Sequence, residues 1–397
     1  MNDQHLPARI ILKKNEDLRV VKGHPWVFSN EIQEITGGPA IGDVVEVVSA
    51  GRKVVGIGFY NPHSLIAVRL LSRMLEEIDA AFFQKRLERA LELRLRLYPD
   101  ADAFRLVHGE SDYLPGLVID RFKDHLSVQT LSYGMDARLS TICDVLEELL
   151  HPAAIIERNE TSLRTMEHLP PRKGVLRGTP AGRIVFSENG ILYEIDPMGG
   201  QKTGFFLDQR ENRLLVARLC RNARVLDCYC NDGGFALNAA RGGAESVVGI
   251  DSSNEAVAAA KRNAELNNFV TTSFCCEEAT DALNRFGNEG KTFDVAILDP
   301  PSFTRNKKSV PSARQGYREL NARALRLVKT GGYLATASCS HHIEPQAFLD
   351  DLTVAARKSN KRLQMIEWRG ASPDHPTIPT VPETSYLKFA VFRVGTV

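Results

Sequence analysis

The spacing of apolar residues along the chain changes twice, and each change predicts a different kind of structure. Residues 1–74 contain short runs rich in β-branched residues, such as 54–60 and 65–72, separated by turns that contain glycine or proline. Strands that follow one another without helices predict a small β-barrel. Residues 79–97 then place apolar side chains at helical spacing among many arginines, which predicts a charged amphipathic helix.

Strands and helices mix in the middle of the chain and alternate regularly after it. Residues 103–195 combine several strands with a helix at about 136–150, which is an α+β pattern. The alternation from residue 196 onward predicts a parallel sheet with helices on both faces. We therefore expect an α/β fold class: a β-barrel (1–74), a linker helix with a central α+β domain (75–195), and a Rossmann-like domain (196–397).

Composition limits the kind of partner and compartment. The 397 residues include 50 Lys and Arg against 49 Asp and Glu, so a nucleic-acid partner would need a local basic face. No apolar run approaches the roughly 20 residues that cross a bilayer, and the first residues lack the apolar core of a signal peptide. Seven cysteines without a C-x-x-C pair or a zinc-binding paired-histidine motif argue against disulfides and structural zinc. We expect a cytoplasmic protein without a metal site.

The first strand of the alternating region leads into a turn suited to a nucleoside. Gly233 and Gly234 allow the backbone to approach a ligand, and the following helix begins with free N–H groups. Asp251 ends the second strand, where a carboxylate can accept hydrogen bonds from ribose hydroxyls. The dinucleotide fingerprint G-x-G-x-x-G is absent, so the choice between a dinucleotide and S-adenosylmethionine favours the latter. Its expected contacts are Asp227, Tyr229, Asn231, Gly233, Gly234, Asp251 and Glu278.

Two further strands end in residues that carry chemistry. Asp299-Pro300-Pro301-Ser302-Phe303 follows the fourth strand and resembles the substrate-base loop of S-adenosylmethionine-dependent nucleic-acid methyltransferases. Cys339 ends the fifth strand, at the same sheet edge as Asp299, between two serines and close to His341 and His342, and the imidazoles or the loop N–H groups can stabilise a thiolate. A thiolate that adds to carbon 6 of cytosine makes carbon 5 nucleophilic. We predict Cys339 and Asp299 as catalytic residues.

Several segments, in order along the chain, resemble the bacterial large-subunit (23S) ribosomal RNA 5-methylcytosine methyltransferases that carry an N-terminal PUA domain. The resemblance covers nearly the whole chain. It rests on segments 22–29, 104–122, 201–213, 299–303, 338–340, 374–376 and 386–390.

The resemblance implies a class I methyltransferase that uses S-adenosylmethionine, with Cys339 as nucleophile and Asp299 in the base loop. It also suggests cofactor contacts from Lys202, Thr203, Phe206 and Gln209. The family often has Ser-Tyr-Thr-Gly-Gly where this chain has Cys-Asn-Asp-Gly-Gly at 230–234. Asp232 therefore adds a carboxylate, and two alternatives stay open: it contacts the amino group of the cofactor, or it faces water.

A basic run directly after the base loop predicts phosphate contacts. Residues 305–323 carry six Lys and Arg against one acidic residue, Glu319. The implied partner is large-subunit ribosomal RNA, with additional RNA surface on the PUA domain, and the relatives leave a homodimer open. The predicted substrate contacts are Pro300, Pro301, Phe303, Arg305, Lys307, Lys308, Arg314 and Arg318.

Two alternatives remain open from the sequence. An Asp-Pro-Pro-aromatic loop also serves methylation of exocyclic nitrogens, which have a lone pair and need no cysteine adduct. A non-catalytic RNA-binding assembly factor would keep the fold without methyl transfer. Cys339→Ala discriminates between the two enzymes, because it should abolish carbon methylation and leave nitrogen methylation nearly intact.

Overall fold

Two units of the chain are distinct in the computed structural model, which describes residues 8–199, 204–304 and 306–396. The first comprises Met1–Ile184, Asp196–Phe205 and Pro373–Thr384. The second comprises Val185–Ile195, Phe206–Ser372 and Ser385–Val397. Within the described residues, no helix is long and apolar enough to span a membrane.

The first unit begins with a six-stranded sheet in the strand order β2-β6-β5-β4-β1-β3. Only β1 and β4 pair in parallel, and the other neighbours are antiparallel. Alternating side chains such as Ile10, Val27, Val45 and Val68 are fully buried and form its core. Its elements are β1 Arg9–Leu12, α1 Leu18–Val21, β2 Trp26–Phe28, β3 Ile32–Thr36, β4 Val44–Val48, β5 Val54–Tyr60 and β6 Ile66–Ser72.

A five-stranded sheet with helices packed against it completes this unit. The strand order is β11-β10-β9-β8-β7, and β9 and β10 are its parallel pair. The predicted amphipathic helix is present and buries Phe83 and Leu87 in the same core as Ile119 and Val128. Its elements are α2 Ala80–Leu97, β7 Ala103–His108, β8 Leu117–Phe122, β9 His125–Thr130, α3 Tyr133–Asp136, α4 Leu139–Leu150, β10 Ala154–Asn159 and β11 Arg172–Gly178.

The second unit contains a two-stranded hairpin and a seven-stranded sheet with the order β16-β15-β14-β17-β18-β20-β19. The five strands from β16 to β18 are mutually parallel, so their carboxyl ends share one edge. The elements are β12 Ile184–Glu188, β13 Ile191–Ile195, α5 Arg210–Ala217, β14 Arg224–Cys228, α6 Gly234–Arg241, β15 Ser246–Asp251, α7 Asn254–Leu266, β16 Thr272–Cys276, α8 Ala279–Asn288, β17 Phe293–Leu298, α9 Val310–Leu327, β18 Val328–Ser338, α10 Pro345–Lys358, β19 Lys361–Arg369 and β20 Lys388–Thr396.

Two features of this unit differ from the sequence expectation. The sheet is not wholly parallel, because β20 runs antiparallel to both β18 and β19. Strands β12 and β13 group with the second unit, although the sequence division places them before residue 196. The side-chain oxygens of Asn263 on α7 and Asn267 immediately after it accept hydrogen bonds from the backbone of Glu194 and Leu192 on β13. These side-chain contacts attach β13 to α7.

Candidate active site

The carboxyl edge of the parallel strands brings four loops together, as expected from the topology. The loops after β14 and β15 carry the predicted cofactor residues. The loops after β17 and β18 carry Asp299 and Cys339. We describe these as the cofactor side and the target side of the edge.

The turn between β14 and α6 favours glycine at two positions, 233 and 234, for different reasons. Tyr229, Asn231 and Gly233 all have positive φ angles, of 67°, 45° and 86°. A Cβ atom on Gly234 would lie 2.6 Å from the guanidinium Nε of Arg213. The two glycines therefore let the chain turn sharply and leave room for this arginine beneath the start of α6.

Asp227 is fully buried at the end of β14 and supports the same turn. One carboxylate oxygen accepts a 2.9 Å hydrogen bond from the backbone N–H of Ala236 in the first turn of α6. The other oxygen has no hydrogen-bond partner among the described residues. Burial raises the pKa of Asp227 well above its usual range.

Asp251 at the end of β15 joins its own loop to the turn after β14. One carboxylate oxygen accepts a 3.0 Å hydrogen bond from the N–H of Asn231, and the other accepts one of 2.9 Å from Ser253. Each oxygen retains a second lone pair, so the half-buried carboxylate can also accept bonds from ribose hydroxyls. Glu278 is exposed and immediately precedes α8.

Asp232 is the carboxylate by which this chain departs from the family pattern. Its Oδ2 accepts a 3.1 Å hydrogen bond from the Asn231 side chain. Burial raises the pKa of Asp232 to about 6, and the positive charge of Arg213 partly opposes that rise. A carboxyl group with this pKa changes its charge close to neutral pH.

A buried arginine lies between the cofactor turn and the segment before α5. Arg213 donates a 2.7 Å hydrogen bond to Glu188 and a 2.6 Å bond to the carbonyl of Phe206. Gln209 is buried, and its side-chain oxygen accepts a bond from Asn212. The side chain of Gln209, a predicted cofactor contact, is thus bonded within the protein. Lys202 and Thr203 lie outside the described residues.

On the target side, Cys339 lies next to the Asp-Pro-Pro loop. Its sulfur is 3.9 Å from the carbonyl oxygen of Pro300, and the residue is half-buried. Asp299 is also half-buried, and its N–H donates a long 3.4 Å bond to the carbonyl of Cys228 at the end of β14. Pro300 is buried, whereas Pro301 is exposed.

The hydroxyl of Ser340 connects the two target-side loops. It lies 3.1 Å from the Ser302 hydroxyl and 3.0 Å from the Tyr317 hydroxyl of α9. It also accepts a 3.2 Å hydrogen bond from the N–H of Phe303, whose ring lies 4.6 Å from the Tyr317 ring. One buried serine therefore fixes the base loop against the segment that carries Cys339.

Comparison with known proteins identifies the family. An S-adenosylmethionine-dependent methyltransferase profile matches residues 104–393, and a PUA-like domain profile matches residues 10–73. Ribosomal RNA large subunit methyltransferase I of Shewanella denitrificans is 39% identical over 396 residues, which cover 98% of this chain and all of that protein. The protein of that name from Tolumonas auensis is 36% identical over 399 residues, with 98% and 100% covered. The chain belongs to the S-adenosylmethionine-dependent methyltransferase family.

Solved structures agree on the fold of this methyltransferase. The structure of SMU.776 complexed with SAH aligns with a TM-score of 0.84 at 19% identity and covers 97% of this chain and 99% of that one. The expected fold class, with a PUA-like N-terminal domain and a Rossmann-like methyltransferase domain, is confirmed. S-adenosylmethionine as cofactor is confirmed by the family.

The cofactor side of the methyltransferase fits this cofactor. One buried carboxylate oxygen of Asp227 has no hydrogen-bond partner among the described residues and is available to a ligand. The glycines at 233–234 let a ligand come close to the backbone of the turn. Asp251 offers free lone pairs at the end of the second parallel strand, where ribose hydroxyls bind. Among the described residues, no cluster of three His, Cys, Asp or Glu side chains is placed to hold a metal ion.

The basic residues after the base loop divide into two groups. Arg314 and Arg318 on α9 both form ion pairs with the fully buried carboxylate of Asp351 on α10, at 2.9 and 2.5 Å. The sequence did not indicate this intramolecular role. Lys307 and Lys308 are exposed at the surface, and Arg305 lies outside the described residues. The phosphate contacts of all five stay predictions.

Sequence reasoning did not assign roles to four residues of the methyltransferase site. Arg213, Ser340 and Lys388 each lie inside a segment on which the family resemblance rests, and Tyr317 lies in the basic run. The sequence therefore indicated that these segments matter, but it did not indicate what these four side chains contact. Their roles depend on contacts between distant segments, which only the fold defines.

Proposed function

We propose that this methyltransferase forms 5-methylcytosine in large-subunit (23S) ribosomal RNA through a covalent adduct between Cys339 and carbon 6 of cytosine. The relatives named for large-subunit ribosomal RNA support the substrate class. The observation that carries the mechanism is a half-buried thiol 3.9 Å from the carbonyl of Pro300, beside Asp299. Methylation of an exocyclic nitrogen would have no use for this thiol.

The residues have defined tasks in this mechanism. The Cys339 thiolate attacks carbon 6, and the electron pair of the 5,6 double bond becomes available at carbon 5. Bound S-adenosylmethionine supplies an electrophilic methyl group. Asp299 holds the N3 edge of the base while the adduct exists. Loss of the carbon 5 proton to a base then restores the double bond and releases the thiolate.

Access to the cytosine requires a separate binding surface. A base within a helix or stack must be unstacked to reach such a loop. Exposed Lys307 and Lys308, directly after the base loop, can contact the neighbouring phosphates. The PUA-like domain at residues 10–73 would contribute RNA contacts away from the reacting base. Because the net charge is only +1, we expect modest affinity for naked RNA that falls with salt.

The experiment uses a strain that lacks this protein. Bisulfite sequencing of its large-subunit ribosomal RNA should show one cytosine that loses protection. The wild-type protein should restore protection, and Cys339→Ala should not, with a loss of transfer of about 10⁴-fold or more. Cys275→Ala, which changes an exposed cysteine away from Asp299, is the matched control and should restore protection fully.

Other outcomes assign the alternatives. If no cytosine changes, the carbon 5 proposal is wrong, and mass spectrometry of RNA nucleosides should separate two cases. Loss of a methylated amino group that Cys339→Ala restores would indicate nitrogen methylation. An unchanged nucleoside profile would indicate a non-catalytic role in RNA binding.

A further inference from the structure

Lys388 is a buried cation directly beside the segment that carries Cys339. It is the first residue of β20 and pairs with Ser338, the last residue of β18, in the antiparallel ladder. Its exposed fraction is 4%. A lysine is rarely buried to this extent unless its ammonium group has a specific partner.

The partners of the ammonium group are neutral. Its nitrogen donates hydrogen bonds of 2.7 Å to the carbonyl of Ser340 and 2.9 Å to the carbonyl of Tyr386. In the part of the chain that the structure describes, no carboxylate lies within 4 Å of this nitrogen. Its positive charge is thus not neutralised by a directly bonded carboxylate. The carbonyl of Ser340 belongs to the residue immediately after Cys339.

We propose that Lys388 is a positioning residue for Cys339, which fixes the backbone of the Cys339–Ser340 segment and stabilises the thiolate with its ammonium charge. This inference deepens the proposed function, because it rests on Cys339 as the nucleophile. A thiol attacks as its thiolate, and a nearby cation increases the thiolate fraction at neutral pH. The positive charge therefore has a chemical use at this position.

Other ionisable groups lie on the loops and helices next to Cys339 and Lys388. Glu344, immediately before α10, interacts electrostatically with the Lys388 ammonium group, and Asp299 in the loop after β17 interacts with the Tyr317 hydroxyl. Tyr317 of α9 is neutral at pH 7, because burial, together with smaller contributions from Cys339 and Asp299, raises its pKa to about 12. His341 is exposed, with its ring 5.6 Å from that of Tyr386. Lys388 is the buried cation of this set.

The protonation of Lys388 itself sets the pH range. Burial lowers the pKa of Lys388 to about 8, and the interaction with Cys339 opposes that fall. The ammonium form therefore predominates at pH 7 and is lost as the pH rises through 8. Stabilisation of the thiolate should be largest below pH 8, where most free thiols are still protonated.

The test measures the reactivity of the thiol and requires no RNA. The full-length protein is treated with iodoacetamide between pH 6 and 10, and alkylation of Cys339 is followed by peptide mass spectrometry. Lys388→Met should slow alkylation about tenfold at pH 7, with convergence towards the wild-type rate above pH 9. Lys388→Arg should retain most of the wild-type rate at pH 7. Exposed Cys275 and Cys276 are internal references and should not change.

A second neutral variant covers the case that Lys388→Met does not fold. Lys388→Gln keeps hydrogen-bond donors for the two carbonyls but lacks the charge. Folding of each variant is verified by binding of S-adenosylmethionine. A ratio of wild-type to variant rates that is the same at every pH would overturn the electrostatic role, because it would reflect altered access alone. Equal rates at all pH values would overturn the whole inference.

The alkylation experiment can fail or succeed independently of the bisulfite experiment that tests the proposed function. If bisulfite sequencing finds no target cytosine but alkylation depends on Lys388 as described, the nucleophile assignment fails and the effect on the thiol stands. If the cytosine is found and the alkylation profile is unchanged in Lys388→Gln, the function stands and the role of Lys388 is wrong.

Discussion

The cofactor side and the target side of the sheet edge are held together by different kinds of bonds. On the cofactor side, carboxylates accept hydrogen bonds from the backbone: Asp227 from Ala236, and Asp251 from Asn231 and Ser253. On the target side, the loops are joined through the Ser340 hydroxyl and the ammonium group of Lys388. The cofactor turn thus depends on backbone shape and two carboxylates, whereas the target loops depend on particular side chains.

Because the cofactor turn depends mainly on its backbone, its side chains at 230–232 can differ from the family pattern while the fold of the turn is kept. The chain has Cys-Asn-Asp at 230–232 where the family pattern that it resembles has Ser-Tyr-Thr, and the two glycines at 233–234 agree with that pattern. The group of residue 231 that donates to Asp251 is its backbone N–H, so this bond does not use the Asn231 side chain. Ser340 differs, because its side-chain hydroxyl itself makes the contacts with Ser302, Phe303 and Tyr317.

Among the substitutions that separate the two sides, the largest effect is expected from Asp251→Ala, which disrupts the cofactor side alone. The variant loses the acceptors for the N–H groups of Asn231 and Ser253 and the predicted acceptors for ribose hydroxyls. Because hydrogen bonds to a charged group contribute about 1.5–3 kcal/mol, affinity for S-adenosylmethionine should fall about 10- to 100-fold by isothermal titration calorimetry. Glu278→Ala, at an exposed carboxylate, is the control and should have a smaller effect. Iodoacetamide should alkylate Cys339 at the wild-type rate; slower alkylation would contradict the independence of the two sides.

Ser340→Ala disrupts the target side alone and should have an intermediate effect. The substitution removes the acceptor of the Phe303 N–H and leaves the buried Tyr317 hydroxyl without one of its partners. We expect a loss of about 2 kcal/mol in the free energy of unfolding by urea titration. Ser302→Ala should cost less, because Ser302 is exposed. Affinity for S-adenosylmethionine should stay within twofold of wild type, and a larger change would show that the cofactor side also depends on Ser340.

The sequence predicted the strands and turns of the edge because these depend on local pattern. Strands β14, β15 and β17 lie where β-branched runs predict them, and Gly233 lies at the predicted turn. The parallel order then places Asp299 and Cys339 together. Residues 345–358 and 388–396 were not assigned as elements, and the reversed direction of β20 follows from long-range pairing rather than from local spacing.

Side-chain partners were harder to predict than elements. The basic run at 305–323 predicted phosphate contacts, yet Arg314 and Arg318 pair with Asp351, which lies 33 or more positions away. The contacts of Arg213 under the cofactor turn and of Lys388 beside Cys339 are likewise made with residues that are distant in the sequence. Charge and composition indicate that a residue is polar, but only the fold determines whether its partner is a ligand or the protein itself.

The smallest effect is expected from Asp232→Asn, which tests the carboxylate by which this turn departs from the family pattern that it resembles. Because burial raises the pKa of Asp232 to about 6, the residue is charged above pH 6 and neutral below it. Its carboxylate should attract the amino group of the methionine part of the cofactor. Affinity for S-adenosylmethionine should therefore fall about fourfold between pH 7.5 and 5.5, as the ionised fraction falls.

The Asp232→Asn variant should bind S-adenosylmethionine with a flatter pH dependence over the same range, which calorimetry at matched ionic strength would show. The sign for stability is opposite. A raised carboxyl pKa in the folded state means that stability is lost as the pH rises from about 4 to 6, so Asp232→Asn should be more stable than wild type at pH 7 without cofactor. Parallel pH profiles for the two proteins would show that Asp232 faces water and takes no part in binding, which would leave the backbone and Asp251 as the basis of recognition on the cofactor side.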